Sequence, residues 1–242
     1  MSSALWYALI AAGGNLLGAA AVIQRAARGL KVIEHFVAFG AGFMLAVAIT
    51  EVLPEAFARS GGAAPALVLA GYLGVHLTQH TVTPHFHFGE ETHPVARVAG
   101  TSAVVGLLLH TFFDGVAIAS AFLVRPELGV MMFIAIFLHK LPEGVTIASL
   151  MLASGRPGRT AFQAAALLGI ATLAGVLITD RLQFLITHGL ALAAGVTLYV
   201  AASNLVPEFQ GKRDWRLSLA FFAGAGVFYL TKVVLDQVVR NV

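Results

Sequence analysis

The sequence contains no cysteine. No disulfide framework and no thiolate metal centre can form, so any bound transition metal must be held by nitrogen and oxygen. Charge is scarce too. Asp, Glu, Lys and Arg make up 11% of the 242 residues, against about 25% in a soluble globular domain. That deficit is too large to coat a water-facing surface. The formal net charge of +3 is small and lies mainly in the connections, which speaks against a nucleic-acid binder. The zinc-hydrolase signature H-E-x-x-H is missing. No positive n-region precedes the first apolar stretch, so residues 4–23 are expected to be a retained span and not a cleaved signal peptide.

What is there is apolar: 58% of the residues are hydrophobic. Eight apolar stretches can be marked, at about 4–24, 33–57, 64–81, 97–123, 128–153, 160–180, 183–206 and 216–238. At roughly 20 residues per crossing, and with helices the only open way to satisfy backbone groups in lipid, they predict an all-α membrane protein of eight transmembrane helices. Residues 1–242 read as a single transmembrane domain with one longer, His-bearing loop at 82–96. If the N-terminus is outside, the cytoplasmic side carries Arg25, Arg28, Lys31, Arg97, Arg156, Arg159, Lys212, Arg213 and Arg216. The outer side carries Arg59, Arg125, Arg181, Lys232 and Arg240. Nine basic residues against five favour both termini outside, with the loop at 82–96 in the cytoplasm.

Two internal echoes suggest a repeat. Residues 110–123 read HTFFDGVAIASAFL and residues 139–152 read HKLPEGVTIASLML, identical at seven of fourteen positions. A fainter echo joins the ends of spans two and seven, E-V-L-P-E-A-F at 51–57 and N-L-V-P-E-F at 204–209. In an eight-span chain spans four and five run in opposite directions, as do two and seven. Inverted repeats of this sort are common in secondary transporters, with the site at the repeat interface.

The stronger echo carries the chemistry. His110 and Asp114 are four apart in span four, and His139 and Glu143 are four apart in span five. An α-helix places such pairs on one face, one turn apart. Two facing helices would then offer two imidazoles and two carboxylates, a set suited to Zn²⁺, with Fe²⁺, Mn²⁺, Co²⁺ and Cd²⁺ as alternatives. A carboxylate at bilayer depth costs a few kcal/mol by insertion scales. Two at matched positions call for a cation or a water path. The competing reading is a hydrogen-bonded network that only joins helices. Gly115 and Gly144 follow the acids and permit close helix approach. Pro142 removes a backbone donor and is expected to break span five beside the site; the plainer reading is an ordinary tolerated proline. Lys140 is either a counter-ion to Asp114 or Glu143 or the occupant of a second metal's charge position.

The stretches H-T-F-F-D-G and H-K-L-P-E-G closely resemble the paired signatures of the ZIP (Zrt-, Irt-like) divalent metal transporters. The resemblance covers most of the chain. It implies an elevator-type carrier that imports zinc or a related ion toward the cytoplasm, commonly as a homodimer. It also implies a multi-pass location in a plasma membrane or bacterial inner membrane, with the lipid bilayer as surroundings and no enzymatic activity. By position, His110, Asp114, His139 and Glu143 match the family's principal metal site. The second-site positions are Thr111, Lys140 and Thr172 here, which implies one transported ion and not two. Ser203 and Asn204 stand where many members have acids.

Further candidates are weaker. Glu51 and Glu55 mark a possible outer entrance. His76 and His80 at the end of span three, followed by His85, His87 and His93, suggest loose metal capture or release. Two other function classes fit the same residues: an intramembrane zinc-dependent hydrolase, in which Asp114 or Glu143 doubles as base, and a signalling membrane protein with structural metal.

Overall fold

In the computed structural model every regular element among the described residues is helical. The structure describes residues 2–24, 30–81, 97–210 and 212–240. The loop bearing His85, His87 and His93 lies outside them. In chain order the α-helices are α1 (Ser2–Ile23), α2 (Leu30–Val47), α3 (Leu53–Ser60), α4 (Ala64–Thr81) and α5 (Arg97–Val124). Then follow α6 (Pro126–Ala153), α7 (Gly158–Thr179), α8 (Gln183–Tyr199), α9 (Val206–Gln210) and α10 (Trp215–Arg240). Seven helical stretches among the described residues are long and apolar enough to cross a membrane. One of these, Val37–His80, runs for 44 residues and holds α3, nearly all of α4 and most of α2. A short 3-10 turn at Gly61–Ala63 separates α3 from α4, with Gly61 at φ 53°, a conformation that glycine adopts without a Cβ penalty.

Spans two and seven depart from the continuous α-helices expected of them. Each contains a π-helical segment, at Ala48–Val52 and at Val200–Leu205. The Leu53 N–H bonds to the Ala48 carbonyl and the Val206 N–H to the Ala201 carbonyl, five residues back in each case. Pro54 and Pro207 come next and have no N–H to donate. The Pro-Glu echo therefore coincides with the same backbone deformation in both helices. Pro142 behaves differently from expectation. Helix α6 runs unbroken through it, so the helix break expected beside the site is not there. Helices α1, α2, α5 and α7 all pack on α6, and such packing holds a helix across one missing hydrogen bond.

The packing itself repeats. Helix α1 packs on α6 as α7 packs on α5; α2 packs on α10 as α8 packs on α4; and α6 meets α2 as α5 meets α8. Exchanging α1 with α7, α2 with α8, α4 with α10 and α5 with α6 maps each of these contacts onto another. One group is α1, α5, α6 and α7; the other contains α2, α4, α8 and α10. Close approach within the first group depends on glycine. A Cβ at Gly144 would strike the Asn15 carbonyl of α1, and a Cβ at Gly115 would strike the Thr172 carbonyl of α7. These glycines are equivalent positions in the His echo, each directly after an acid.

Candidate metal centre

Helices α5 and α6 are joined by Arg125 alone, which is extended at φ −161° and ψ 149°. So short a connection forces antiparallel neighbours and brings the two His/acid faces together. His110, Asp114, His139 and Glu143 are all buried. His110 Nε2 lies 3.5 Å from Asp114 Oδ2 and 3.6 Å from Glu143 Oε2. His139 Nε2 lies 3.3 Å from Asp114 Oδ2 and 3.7 Å from Glu143 Oε2. Ligands about 2.0–2.2 Å from a tetrahedral zinc stand about 3.3–3.6 Å from one another, so these four nitrogen–oxygen spacings suit a shared cation. One ligand atom from each residue lies within 4.8 Å of all the others. Among the described residues this is the one group of three or more His, Asp or Glu side chains able to hold an ion.

The surroundings orient the ligands. His139 Nδ1 lies 3.2 Å from the Ala135 carbonyl. A neutral imidazole donating from Nδ1 to that carbonyl would keep its Nε2 lone pair for a metal ion. Asn15 of α1 is wholly buried and donates from Nδ2 to Glu143 Oε1 at 3.3 Å. That bond holds one carboxylate oxygen away from the centre and turns Oε2 toward it. Sequence reasoning missed Asn15. Its one signal was a lone amide within an apolar run, after Gly13 and Gly14.

Lys140 enters the same cluster. Its Nζ lies 2.7 Å from Asp114 Oδ2 and 2.8 Å from Glu143 Oε2. Thr111 and Thr172 are buried and give their hydroxyl hydrogens to the Leu108 and Leu168 carbonyls of their own helices. The remaining candidates do not join the cluster. Glu51 is buried and pairs with Arg125 at 2.5 Å and with Lys232. Glu55 lies 3.7 Å from the same Arg125. His76 and His80 are exposed on α4. Their rings stack with centroids 4.1 Å apart, and Tyr199 Oη is 3.4 Å from His80 Nδ1.

A family model described as ZIP Zinc transporter matches residues 89–232. That stretch contains all four members of the buried cluster. The chain is also similar to the zinc transporter GufA of Myxococcus xanthus, with 34% identity over 180 residues, covering 70% of each chain.

Proposed function

From the premise that this chain belongs to the ZIP zinc transporter family and is a multi-pass membrane transporter, we propose that it carries one Zn²⁺ at a time toward the cytoplasm. The ion is held by His110, Asp114, His139 and Glu143 between spans four and five. The observation that carries this reading is the convergence of four buried N and O ligand atoms within 4.8 Å of one another. Borderline ligands suit transport, because the site must select an ion and still let it go. The same donor set accepts Fe²⁺, Mn²⁺, Co²⁺ or Cd²⁺.

The topology that goes with this function has eight crossings, Val37–His80 counting as two, and both termini outside. Span four then opposes span five, and the repeated packing becomes an inverted repeat. Alternating access follows from the group α1, α5, α6 and α7 sliding against the other group, as in an elevator. A homodimer in a plasma membrane or bacterial inner membrane completes the reading. The transporter relatives leave the hydrolase and signalling readings without a supporting observation.

Zinc uptake into proteoliposomes tests the site. Replacing His139 and Glu143 together by alanine removes two of four ligands, so flux should fall to the level of protein-free vesicles. Flux equal to wild type would refute the assignment.

A further inference from the structure

Lys140 sits where the cation is proposed to bind, and it is completely buried at 0% exposure. Its ammonium contacts Asp114 Oδ2 and Glu143 Oε2. These are the same two oxygen atoms that face both histidine Nε2 atoms. A metal ion ligated through them must share them with the ammonium or push it aside. Among the described residues, the side chains of opposite or potentially opposite charge beside the two acids are these two histidines and this lysine, and only the lysine carries its charge without taking up a proton near neutral pH. Lys140 therefore supplies the fixed positive charge of the metal-free site.

We propose that Lys140 is a tethered cation that takes the place of the transported metal in the empty carrier. It neutralises Asp114 and Glu143 while the unloaded site crosses between the two sides of the membrane, and it gives way when a divalent ion arrives. This inference rests on the transport reading above. Two carboxylates without a counter-ion are costly in a dry, low-dielectric interior, far more so than a paired set. A cation on a flexible four-carbon stem is always at hand and is never lost to solvent. An acceptor for the displaced ammonium exists on α1. Asn15 Oδ1 is buried without a hydrogen-bond partner, on the residue whose Nδ2 already binds Glu143. The preceding residue, Gly14, has its Cβ direction against the Lys140 stem, 3.1 Å from Lys140 Cβ. The stem thus lies against α1, beside that amide.

The consequence separates two transport modes. Exchange of zinc across a zinc-loaded membrane uses only the loaded carrier. Net uptake into metal-free vesicles needs the empty carrier to return. The test reconstitutes wild type, Lys140→Met and Lys140→Gln into liposomes and follows radioactive zinc in both modes. For both variants, net uptake is expected to fall by about tenfold or more relative to exchange measured in the same variant, because the unpaired acids oppose the return. Zinc titration of the same variants should show tighter binding, since the internal competitor is gone. Equal proportional loss in both modes would overturn the proposal. So would recovery of net uptake by Gln, which restores hydrogen bonding but not charge. Absence of exchange in the wild type would instead remove the transport reading itself. If neither variant yields folded protein, adding Asp114→Asn removes one of the two uncompensated acids. Recovery of folded protein then supports the counter-charge role, and continued failure contradicts it.

Discussion

Glu143 serves four neighbours at once. Oε2 faces the two imidazoles and the Lys140 ammonium, while Oε1 accepts from Asn15 Nδ2. The Asn15 bond selects which oxygen turns inward. Asn15→Leu keeps the volume and removes that donor. Loss of one hydrogen bond to a charged acceptor is worth about 1.5–3 kcal/mol, so zinc affinity should drop by about one to two orders of magnitude. Calorimetric zinc titration of the purified variant reads this directly, and an unchanged affinity would make Asn15 a bystander. Lys140→Asp makes the opposite change, turning the internal cation into an acid. Bound zinc per chain should then rise from one toward two, as metal analysis after gel filtration would report; no increase would argue against the lysine as the reason for a single ion. The clustering of the four candidate ligands was legible in the sequence because the spacing of four places each pair on one helical face and because the two stretches echo each other. Asn15 was not legible. A single amide in an apolar run has no period, and only the packing of α1 on α6 gives it a partner. Lys140 was visible as an oddity, but its simultaneous reach to both acids is a tertiary fact.

The helices position the site through small residues and local deformations. Gly144 lets the α1 backbone approach α6, and Gly115 does the same for α7 and α5. A Gly144→Val side chain would be driven into the Asn15 carbonyl. Overpacking of this kind costs about 1–3 kcal/mol and moves Asn15 away from Glu143. Thermal unfolding in detergent should show a lower midpoint, and zinc binding should weaken with it. Gly226 has nothing within 4 Å of its Cβ direction, so Gly226→Ala should leave both readings unchanged. If Gly144→Val matched wild type, the close α1–α6 contact would not be what sets the site. Helix existence was readable from apolar length, and α4 coincides with the stretch marked at 64–81. The π-helical segments were not readable, because no residue propensity marks a five-residue hydrogen-bond step. Proline was the only pointer, and it pointed equally to Pro142, where tertiary packing keeps α6 continuous. Arg125 likewise read as a loop charge. The structure makes it the hinge residue of the α5–α6 hairpin and the partner of Glu51 and Glu55.

Across the whole molecule, the absence of cysteine makes topology directly testable. Single cysteines at Ser3 and Gly62 should react from outside intact cells with a membrane-impermeant thiol reagent. A cysteine at Arg156 should react only after permeabilisation. The reverse pattern would invert the orientation, and labelling of Ser3 and Gly62 from opposite sides would contradict the paired crossings within Val37–His80. In the proposed elevator, the repeated packing of α1 on α6 and α7 on α5 would put the four candidate ligands within the moving group, with α2, α4, α8 and α10 as its frame. The claim on which the rest depends is that His110, Asp114, His139 and Glu143 together surround the transported ion. X-ray absorption at the zinc edge measures it, on purified zinc-loaded protein whose His85, His87 and His93 have been replaced so that the loop contributes nothing. The account predicts two imidazole nitrogens and two oxygens at about 2.0–2.1 Å, with one imidazole lost in His139→Ala. A first shell without two imidazoles, or one unaltered by that substitution, would contradict it.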